Sequence, residues 1–361
     1  MAEIPKSDRA EVKEIGPQGS PAVRTLGVVY EPSTDTFRII APTKKPAKTP
    51  REILSFASSI WDPLGLVSPF VIRGRMFLQG LWPFKLDWDD VIDEEKLHEW
   101  SKFESEANSL DELRFPRCYR RRKEAADDFQ LHVFANSSMQ AKCAVAYYRF
   151  CYENGEVGVF LVSSRVRVTP LKRITTPRLE LDAVRMGINL AATIVEESSV
   201  KVQMIVLWTD SLICRHWLTQ PSRRYKDYVT HRIVDFQEKI ESLEQNGVNV
   251  NIRYVPTEIN VADIGTRGAS PPCVDHDSSW QLGPAFLRDP ENEWPRGPTE
   301  QVCDDPSELR KSAHSGTVCV FLESSLIDLE DYSTLWKAKR VVACVLRCVQ
   351  KFKSTLTKAS V

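Results

Sequence analysis

The feature that most constrains this chain is an apolar, β-branched run that ends abruptly in a polar tip. Residues 202–208 read Val-Gln-Met-Ile-Val-Leu-Trp, and Thr209, Asp210 and Ser211 follow them. Such a run is typical of a buried strand, and a carboxylate at its carboxyl end is unfavourable to bury unless it binds a ligand or caps the next helix. Because a helical pattern follows Ser211, this stretch alone leaves both roles of Asp210 open.

Composition narrows the class of protein. The chain has 361 residues, enough for two or three compact units, and a formal net charge of -1. That charge excludes attraction of the whole molecule to nucleic acid, so any such binding must come from local patches. No apolar run reaches membrane-spanning length, and the nine cysteines include no Cys-x-x-Cys pair. We therefore expect a reduced, intracellular protein without a membrane partner.

Local patterns divide the chain into four regions. They are a loop-rich segment with one strand-like hairpin (1–50), a helical region (51–115), a regular α/β region (126–270), and a linker that leads to a basic amphipathic helix (271–361). A basic cluster around Arg121 precedes the α/β region. This cluster either contacts phosphates or is a solvated linker.

Strand and helix patterns in the α/β region predict a mixed sheet. The predicted strands are residues 130–136, 143–151, 157–162, 202–208 and 248–255. A long helix begins near Pro177, because proline suits a first helical turn, and another helix covers residues 225–243. The order predicts an antiparallel hairpin sector followed by parallel strands with helical crossovers, which is an α/β fold.

Four acidic or amide side chains fall at the ends of these elements. Asn136 ends the first strand, Glu180 lies in the first turns of the long helix, Asp210 ends the fourth strand and Asp263 follows the fifth. If the first and fourth strands are neighbours, their ends lie about 4.8 Å apart, which suits side chains that share divalent cations. Two-metal phosphoryl chemistry requires such oxygen ligands from several elements. The alternatives are a helix-dipole role for Glu180 and capping roles for the two aspartates.

This order of acidic positions resembles the ribonuclease H fold, whose site takes acidic residues from the first strand, the first long helix, the fourth strand and a late helix. The sequence is similar in more detail to the Pao (BEL) family of long-terminal-repeat retrotransposon polyproteins. The matching stretches are residues 53–82 (with Trp-Asp-Pro-Leu-Gly at 61–65), 134–138, 164–166, 177–181, 208–211, 260–268, 283–284 and 294–295. The resemblance as a whole extends over most of residues 24–350.

The resemblance implies a ribonuclease H-like mixed five-stranded sheet flanked by helices, preceded by a small helical region and followed by a C-terminal helical connector. It implies cleavage of RNA in RNA/DNA hybrids with Mg²⁺ or Mn²⁺. The implied metal ligands and catalytic residues are Glu180, Asp210 and Asp263, with Asn136 at the fourth catalytic position. Arg178 and Arg267 either contact the nucleic acid or anchor loops through salt bridges.

The resemblance also implies a place in a longer polyprotein. Residues 1–50 would be the end of the reverse transcriptase, and the C-terminal helix would lead toward an integrase. The neighbouring reverse transcriptase and integrase domains are therefore expected partners, beside the RNA/DNA hybrid. The expected location is cytoplasmic, with the nucleus and virus-like particles as alternatives.

One position departs from the family's pattern. Where the family usually has Phe-x-Asp-Ala-Ser, residues 134–138 read Phe-Ala-Asn-Ser-Ser. Asn136 can offer a neutral carbonyl oxygen to a metal ion but neither a charge nor a bridging carboxylate. If that bridge supplies about 3–5 kcal/mol, its loss lowers the rate by about two to four decades.

Two classes of function therefore remain. The first is an impaired ribonuclease H-like endonuclease, and the second is a non-catalytic nucleic-acid-binding or interaction protein from a decayed or co-opted element. The family is sometimes labelled a peptidase, but the chain contains neither Asp-Thr-Gly nor Asp-Ser-Gly. The sequence does not support that activity.

Overall fold

The computed structural model describes most of the chain. The described residues are 23–25, 28–42, 45–118, 129–152, 155–298, 305–310, 334, 336–337 and 339–347. Arg121, a predicted nucleic-acid contact, lies outside them. The chain forms two units, Met1–Arg310 and Lys311–Val361. The first unit ends at Arg310. The division into four regions stays a prediction.

The first unit begins with a small antiparallel sheet and three helices. The strands are β1 (Val23–Thr25), β2 (Val28–Glu31), β3 (Thr36–Ile39) and β4 (Phe115–Pro116), paired in that order. The helices are α1 (Pro50–Ser59), α2 (Ser68–Gly80) and α3 (Glu94–Ala107). Thr49 and Glu52 form a capping box at the start of α1, which fixes where that helix begins. Because β4 follows the helices in sequence, the predicted N-terminal hairpin lies against the helical region.

A five-stranded mixed sheet follows. Its strands are β5 (Phe129–Ser137), β6 (Ala141–Cys151), β7 (Val157–Val168), β8 (Val202–Thr209) and β9 (Asn249–Tyr254). Their spatial order is β7-β6-β5-β8-β9, with β8 parallel to both neighbours and the other pairs antiparallel. The helices are α4 (Thr176–Glu197), α5 (Leu212–Thr219), α6 (Asp227–Gln245), α7 (Ala262–Arg267) and α8 (Ser279–Leu282). The predicted mixed sheet is confirmed, although β7 extends beyond its predicted end at Val162.

Side chains alternate between the two faces of this sheet. Leu131 and Val133 of β5 belong to a core shared with α4 and α6, whereas Phe134 points to the opposite face. There it stacks on Trp208 of β8 with ring centroids 5.8 Å apart. Burying side chains of this size contributes about 1.5–3 kcal/mol each, so both faces must be covered.

Residues 271–298, predicted to be part of a linker, cover that second face. Trp280 is fully buried, its indole N–H donates to the Leu66 carbonyl at 2.9 Å, and its own carbonyl accepts from the Tyr147 hydroxyl at 2.6 Å. Arg149 Nε donates to the Leu287 carbonyl at 2.7 Å. Trp294 is also buried. The segment packs here because Phe134, Val206 and Trp208 give this face a buried apolar surface.

The Asp-Pro-Leu-Gly turn at residues 62–65 joins the helices to β7. Both carboxylate oxygens of Asp62 accept backbone N–H groups, those of Leu66 and Val67, each at 2.8 Å. The Ser164 N–H of β7 donates to the Leu64 carbonyl at 2.8 Å. Since β7 is at the edge of the sheet, the turn covers backbone groups that would otherwise be exposed.

The second unit has one described helical stretch. Residues 336–337 and 339–347 are helical, and they lie within the C-terminal region for which a basic amphipathic helix is predicted. Arg340 lies over the ring of Trp336 at 5.0 Å from its centroid. Among the described residues of both units, no helix combines the length and the apolar character needed to cross a membrane.

Replacing Gly65 by alanine is expected to lower the free energy of unfolding by about 2–4 kcal/mol. Gly65 has a φ of +78°, and a Cβ there would lie 2.3 Å from the Ser164 carbonyl oxygen. Gly80→Ala is the matched control, because a Cβ at Gly80 has no neighbour within 4 Å. Urea unfolding monitored by tryptophan fluorescence measures both variants. Equal stability of the two would contradict the role of the turn.

Candidate functional site

Parallel pairing of β5 with β8 places two predicted site residues side by side. The last pair of the ladder is Ala135 with Thr209. Asn136 and Asp210 come next on their strands, at the same end of the sheet. The predicted adjacency of the first and fourth strands is therefore confirmed.

The short helix α7 brings Asp263 to the same end. A Cβ at Gly265 would lie 2.3 Å from the Cys143 sulfur, so only glycine allows α7 to approach β6 this closely. Asn260 fixes the entry to α7, because its amide donates to the Ala135 carbonyl and its side-chain oxygen accepts the Ala262 N–H, both at 3.2 Å. Asp263, predicted to follow the fifth strand, thus lies in a helix held against the sheet.

Asn136 and Asp263 are in direct contact. Asn136 Nδ2 donates to Asp263 Oδ1 at 3.1 Å, and Asn136 Oδ1 accepts the Ser137 N–H at 2.7 Å. The other carboxylate oxygen of Asp263 pairs with Arg267 Nε at 2.8 Å. Because an ionised carboxylate only accepts, the nitrogen of the Asn136 amide must face it. Both oxygens of Asp263 are therefore engaged by donors from the protein.

Glu180 lies near Asp210 and is held by the residue that follows it. The Ser211 hydroxyl donates to Glu180 Oε2. The Ser211 hydroxyl oxygen accepts the Cys214 N–H at 3.1 Å at the start of α5. Ser211 is therefore the N-cap of α5, and it has this second contact with Glu180. Burial raises the pKa of Glu180 and the Asp210 charge adds to the increase, while the Ser211 hydrogen bond opposes it.

Asp210 combines burial with incomplete hydrogen bonding. Burial raises its pKa above the ordinary value, and the nearby charge of Asp263 adds to the increase. Hydrogen bonds from the side chains of Thr257 and Asn260 oppose it. Asp210 Oδ1 is buried and has no hydrogen-bond partner in the described part of the chain. Such an oxygen is destabilising and is typical of a position that receives a ligand.

A two-metal centre at the strand ends would need several carboxylate oxygens free to bind cations. The unpartnered oxygen of Asp210 favours a cation. However, residue 136 is an asparagine, so this position lacks the carboxylate that such a centre would need. Its amide donates a hydrogen bond to Asp263 instead. No group of three His, Cys, Asp or Glu side chains within the described ranges is placed to hold a metal ion. The described side chains therefore do not fit a two-metal centre, and the predicted metal roles of Glu180, Asp210 and Asp263 stay predictions.

The two described arginines of the predicted nucleic-acid surface both form ion pairs. Arg178 donates from Nε and Nη2 to the two carboxylate oxygens of Glu308, at 2.7 and 2.9 Å. Arg267 pairs with Asp263 and remains largely exposed. The free structure thus shows the salt-bridge alternative for both side chains.

Sequence reasoning assigned no site contact to Asn260, Thr257 or Glu308. Asn260 and Thr257 follow the fifth strand, in the same loop that leads to Asp263. That position could have indicated a link between the strand ends. Glu308 lies in an acidic stretch far along the chain, and no local pattern signals its contact with Arg178.

The sheet order, with an antiparallel β5–β7 sector and parallel β8 and β9, defines a ribonuclease H-like α/β domain. Residues 49–211 match the family model of the Pao retrotransposon-like RNaseH-like domain. The predicted resemblance to the Pao family is confirmed over these residues. They include Asn136, Glu180 and Asp210 and end before Asp263. None of the curated proteins matches the chain.

Several solved structures are similar to part of the chain. RNase H1 from the halophilic archaeon Halobacterium salinarum NRC-1 has 18% identity and a TM-score of 0.25, over 37% of this chain and 90% of that chain. The N-terminal RNase H domain of rv2228c from Mycobacterium tuberculosis, solved as a fusion with maltose binding protein, has 12% identity and a TM-score of 0.27. It covers 38% of this chain and 94% of that chain.

Replacing Asp210 by asparagine is expected to stabilise the folded chain at pH 7 by about 1 kcal/mol, because the folded state disfavours this buried charge. Since the folded-state pKa is raised, the gain is full above that pKa. It shrinks as the pH falls through the folded-state pKa toward the ordinary value of 3.8, below which the carboxyl is protonated in both states. Urea unfolding at pH 7 and at pH values down to about 3.5 measures the difference.

Asp227→Asn serves as the control for this experiment. Asp227 is largely exposed and pairs with Arg310 at 2.7 Å. An exposed pair of this kind contributes about 0–1 kcal/mol, so the variant should be no more stable than the parent chain. An Asp210→Asn variant that is less stable at pH 7 would contradict the unfavourable burial of Asp210.

Proposed function

We propose that this chain is a ribonuclease H-derived module that binds RNA/DNA hybrids and whose cleavage of the RNA strand is strongly weakened. The observation that carries the proposal is the hydrogen bond from Asn136 to Asp263. In the family this position is usually an aspartate, which would add a negative charge between Asp210 and Asp263. The Asn136 amide instead donates a hydrogen bond to one oxygen of Asp263.

The remaining carboxylates support descent from a hydrolase. Glu180, Asp210 and Asp263 lie at one end of the sheet, and burial raises the pKa of the first two. These three are the side chains that Mg²⁺ or Mn²⁺ would contact if Asn136 were an aspartate. Buried carboxylates with raised pKa values are more typical of a functional site than of a structural core.

The hydrogen bonds that Asp263 accepts from Asn136 and Arg267 favour a second function. Because Asn136 and Arg267 together satisfy both of its oxygens, the Asp263 carboxylate needs no cation. This favours a non-catalytic nucleic-acid-binding or interaction protein, decayed or co-opted from a retrotransposon. Hybrid binding in the absence of any cleavage would favour this function over an impaired enzyme.

The Asn136→Asp variant is expected to cleave the RNA strand of a hybrid about two to four decades faster than the parent chain. The restored carboxylate faces Asp263 and supplies the missing negative charge. A gel assay with end-labelled RNA/DNA hybrid, run with Mg²⁺ and with Mn²⁺, measures the rates. Parent activity within a few-fold of that of the variant would show that hydrolysis is not impaired.

The double variant Asn136→Asp with Asp210→Asn is the control for contaminating nucleases. It should lose the gained cleavage, because Asp210 is one of the three remaining carboxylates. Binding of Mn²⁺, followed by electron paramagnetic resonance, should be tighter in Asn136→Asp than in the parent chain. This second measurement does not depend on turnover.

We further propose that the chain acts between the reverse transcriptase and integrase domains of a parent polyprotein. The family match at residues 49–211 supports this placement. Sequencing the transcript upstream of the Met1 codon tests it. An in-frame polymerase palm is the expected result, and a stop codon in that frame would contradict the placement.

A further inference from the structure

The guanidinium of Arg178 is held by a carboxylate from a distant part of the sequence. Arg178 lies in the first turn of α4, two residues before Glu180. Its two donors reach the two oxygens of Glu308, whose side chain is only 3% exposed, whereas that of Arg178 is 27% exposed. A guanidinium fork with two parallel N–H bonds is the geometry in which arginine holds either a carboxylate or a phosphate.

A tyrosine on α6 supports the same guanidinium. Arg178 lies over the ring of Tyr228, 4.6 Å from its centroid, and the guanidinium of Arg232 lies over the same ring at 3.4 Å. Asp182 accepts from the Tyr228 hydroxyl at 3.2 Å and also pairs with Arg232. These contacts come from α4 and α6, so they hold Arg178 in place independently of Glu308.

Glu308 is delivered by a short segment, residues 305–310, which we call the strap. Two backbone hydrogen bonds hold the strap: the Glu308 carbonyl accepts the Lys226 N–H, and the Arg310 N–H donates to the Arg224 carbonyl, each at 2.9 Å. The exposed Arg310–Asp227 ion pair at 2.7 Å and a bridge between Tyr225 and Leu309 add to them. Leu309 packs beside the core of the α4 face. These contacts join a segment of only six residues to the fold, so the segment can separate at a lower free-energy cost than a strand of the sheet.

We propose that Arg178, supported by Tyr228, forms a phosphate-binding subsite for the backbone of a nucleic acid, and that Glu308 occupies this subsite in the free protein. The proposal rests on the proposed hybrid binding, because the ligand is the sugar-phosphate backbone of that hybrid. Arg178 and Glu180 lie within one turn of α4. A phosphate on Arg178 is therefore next to the site at the strand ends.

The donor geometry of Arg178 suits a phosphodiester. The fork already donates to the two oxygens of one planar anion, and a phosphate offers two acceptor oxygens at similar spacing. The phosphate backbone must displace Glu308, so the strap and the nucleic acid compete for the same two donors. Binding of hybrid and docking of the strap are then mutually exclusive at Arg178.

Fluorescence anisotropy with a short labelled RNA/DNA hybrid in EDTA tests the subsite in the full chain. Glu308→Gln should bind the hybrid at least about fivefold more tightly than the parent chain. Freeing one phosphate contact should also steepen the log–log salt dependence of the binding constant by about 0.9. Adding Arg178→Gln to Glu308→Gln should remove both effects.

Glu291→Gln is the matched control for charge. It also removes one negative charge, but from an exposed carboxylate that pairs with Arg253 far from α4 in the sequence. Its affinity for hybrid should equal that of the parent chain within about twofold, because an exposed charge of this kind changes only the long-range electrostatic attraction. An equal gain in Glu291→Gln and Glu308→Gln would overturn the subsite.

Leu309→Ala keeps the proposal testable if Glu308→Gln does not fold. This variant loosens the strap without a change of charge, so it should also tighten hybrid binding. If the parent chain binds hybrid and neither variant binds it more tightly, the subsite is overturned while the proposed function stands. If no folded variant binds hybrid, both are overturned.

Inorganic phosphate distinguishes the two sources of the anion. In Glu308→Gln, millimolar phosphate should compete only weakly with the hybrid, because a single ion lacks the neighbouring contacts of a backbone. If phosphate raises the melting temperature of the variant while hybrid affinity is unchanged from that of the parent, the nucleic-acid subsite is overturned.

Discussion

Parallel pairing of β5 with β8 is the constraint on which the rest of the structure depends. It makes these two strands the centre of the sheet, with β6 and β7 on one side and β9 on the other. Because a parallel connection needs a crossover, the chain between them must include a helix, and α4 carries Glu180 to the strand ends. The same register puts Asn136 next to Asp210. One pairing thus assembles three of the four predicted site positions.

The carboxylates at these strand ends reduce the stability of the fold that holds them. Asp210 has a buried oxygen without a partner in the described residues, and its charge lies near those of Glu180 and Asp263. An enzyme tolerates such an arrangement because a cation offsets it. In this chain the amide of Asn136 relieves part of the repulsion at Asp263 instead. Asparagine at position 136 therefore removes a possible metal ligand and supplies a hydrogen-bond donor to Asp263.

The helical region and the segment after α7 belong to the same packed unit as the sheet. The Asp62 turn covers the edge of β7, and Trp280 donates to the Leu66 carbonyl of that turn. The extra elements thus contact each other as well as the sheet. This explains why a family match can begin at residue 49, well before the first strand of the sheet.

The sequence by itself determined the strands of the mixed sheet and the order of the candidate site residues along the chain. Alternation and apolar runs located all five strands of the sheet, since burial on a sheet face requires a period of two, and the proline at residue 177 marked the start of α4. The order of Asn136, Glu180, Asp210 and Asp263 indicated one end of the sheet. The departure at Asn136 is visible in the sequence because it is a change of chemical type.

Only the tertiary structure decided what these side chains contact. The hydrogen bond between Asn136 and Asp263 joins residues 127 positions apart, and the pair between Arg178 and Glu308 joins residues 130 apart. No local period encodes such pairs, because they depend on how packed elements approach one another. For the same reason residues 271–298 read as a linker, although the face of the sheet that they cover makes them part of the core.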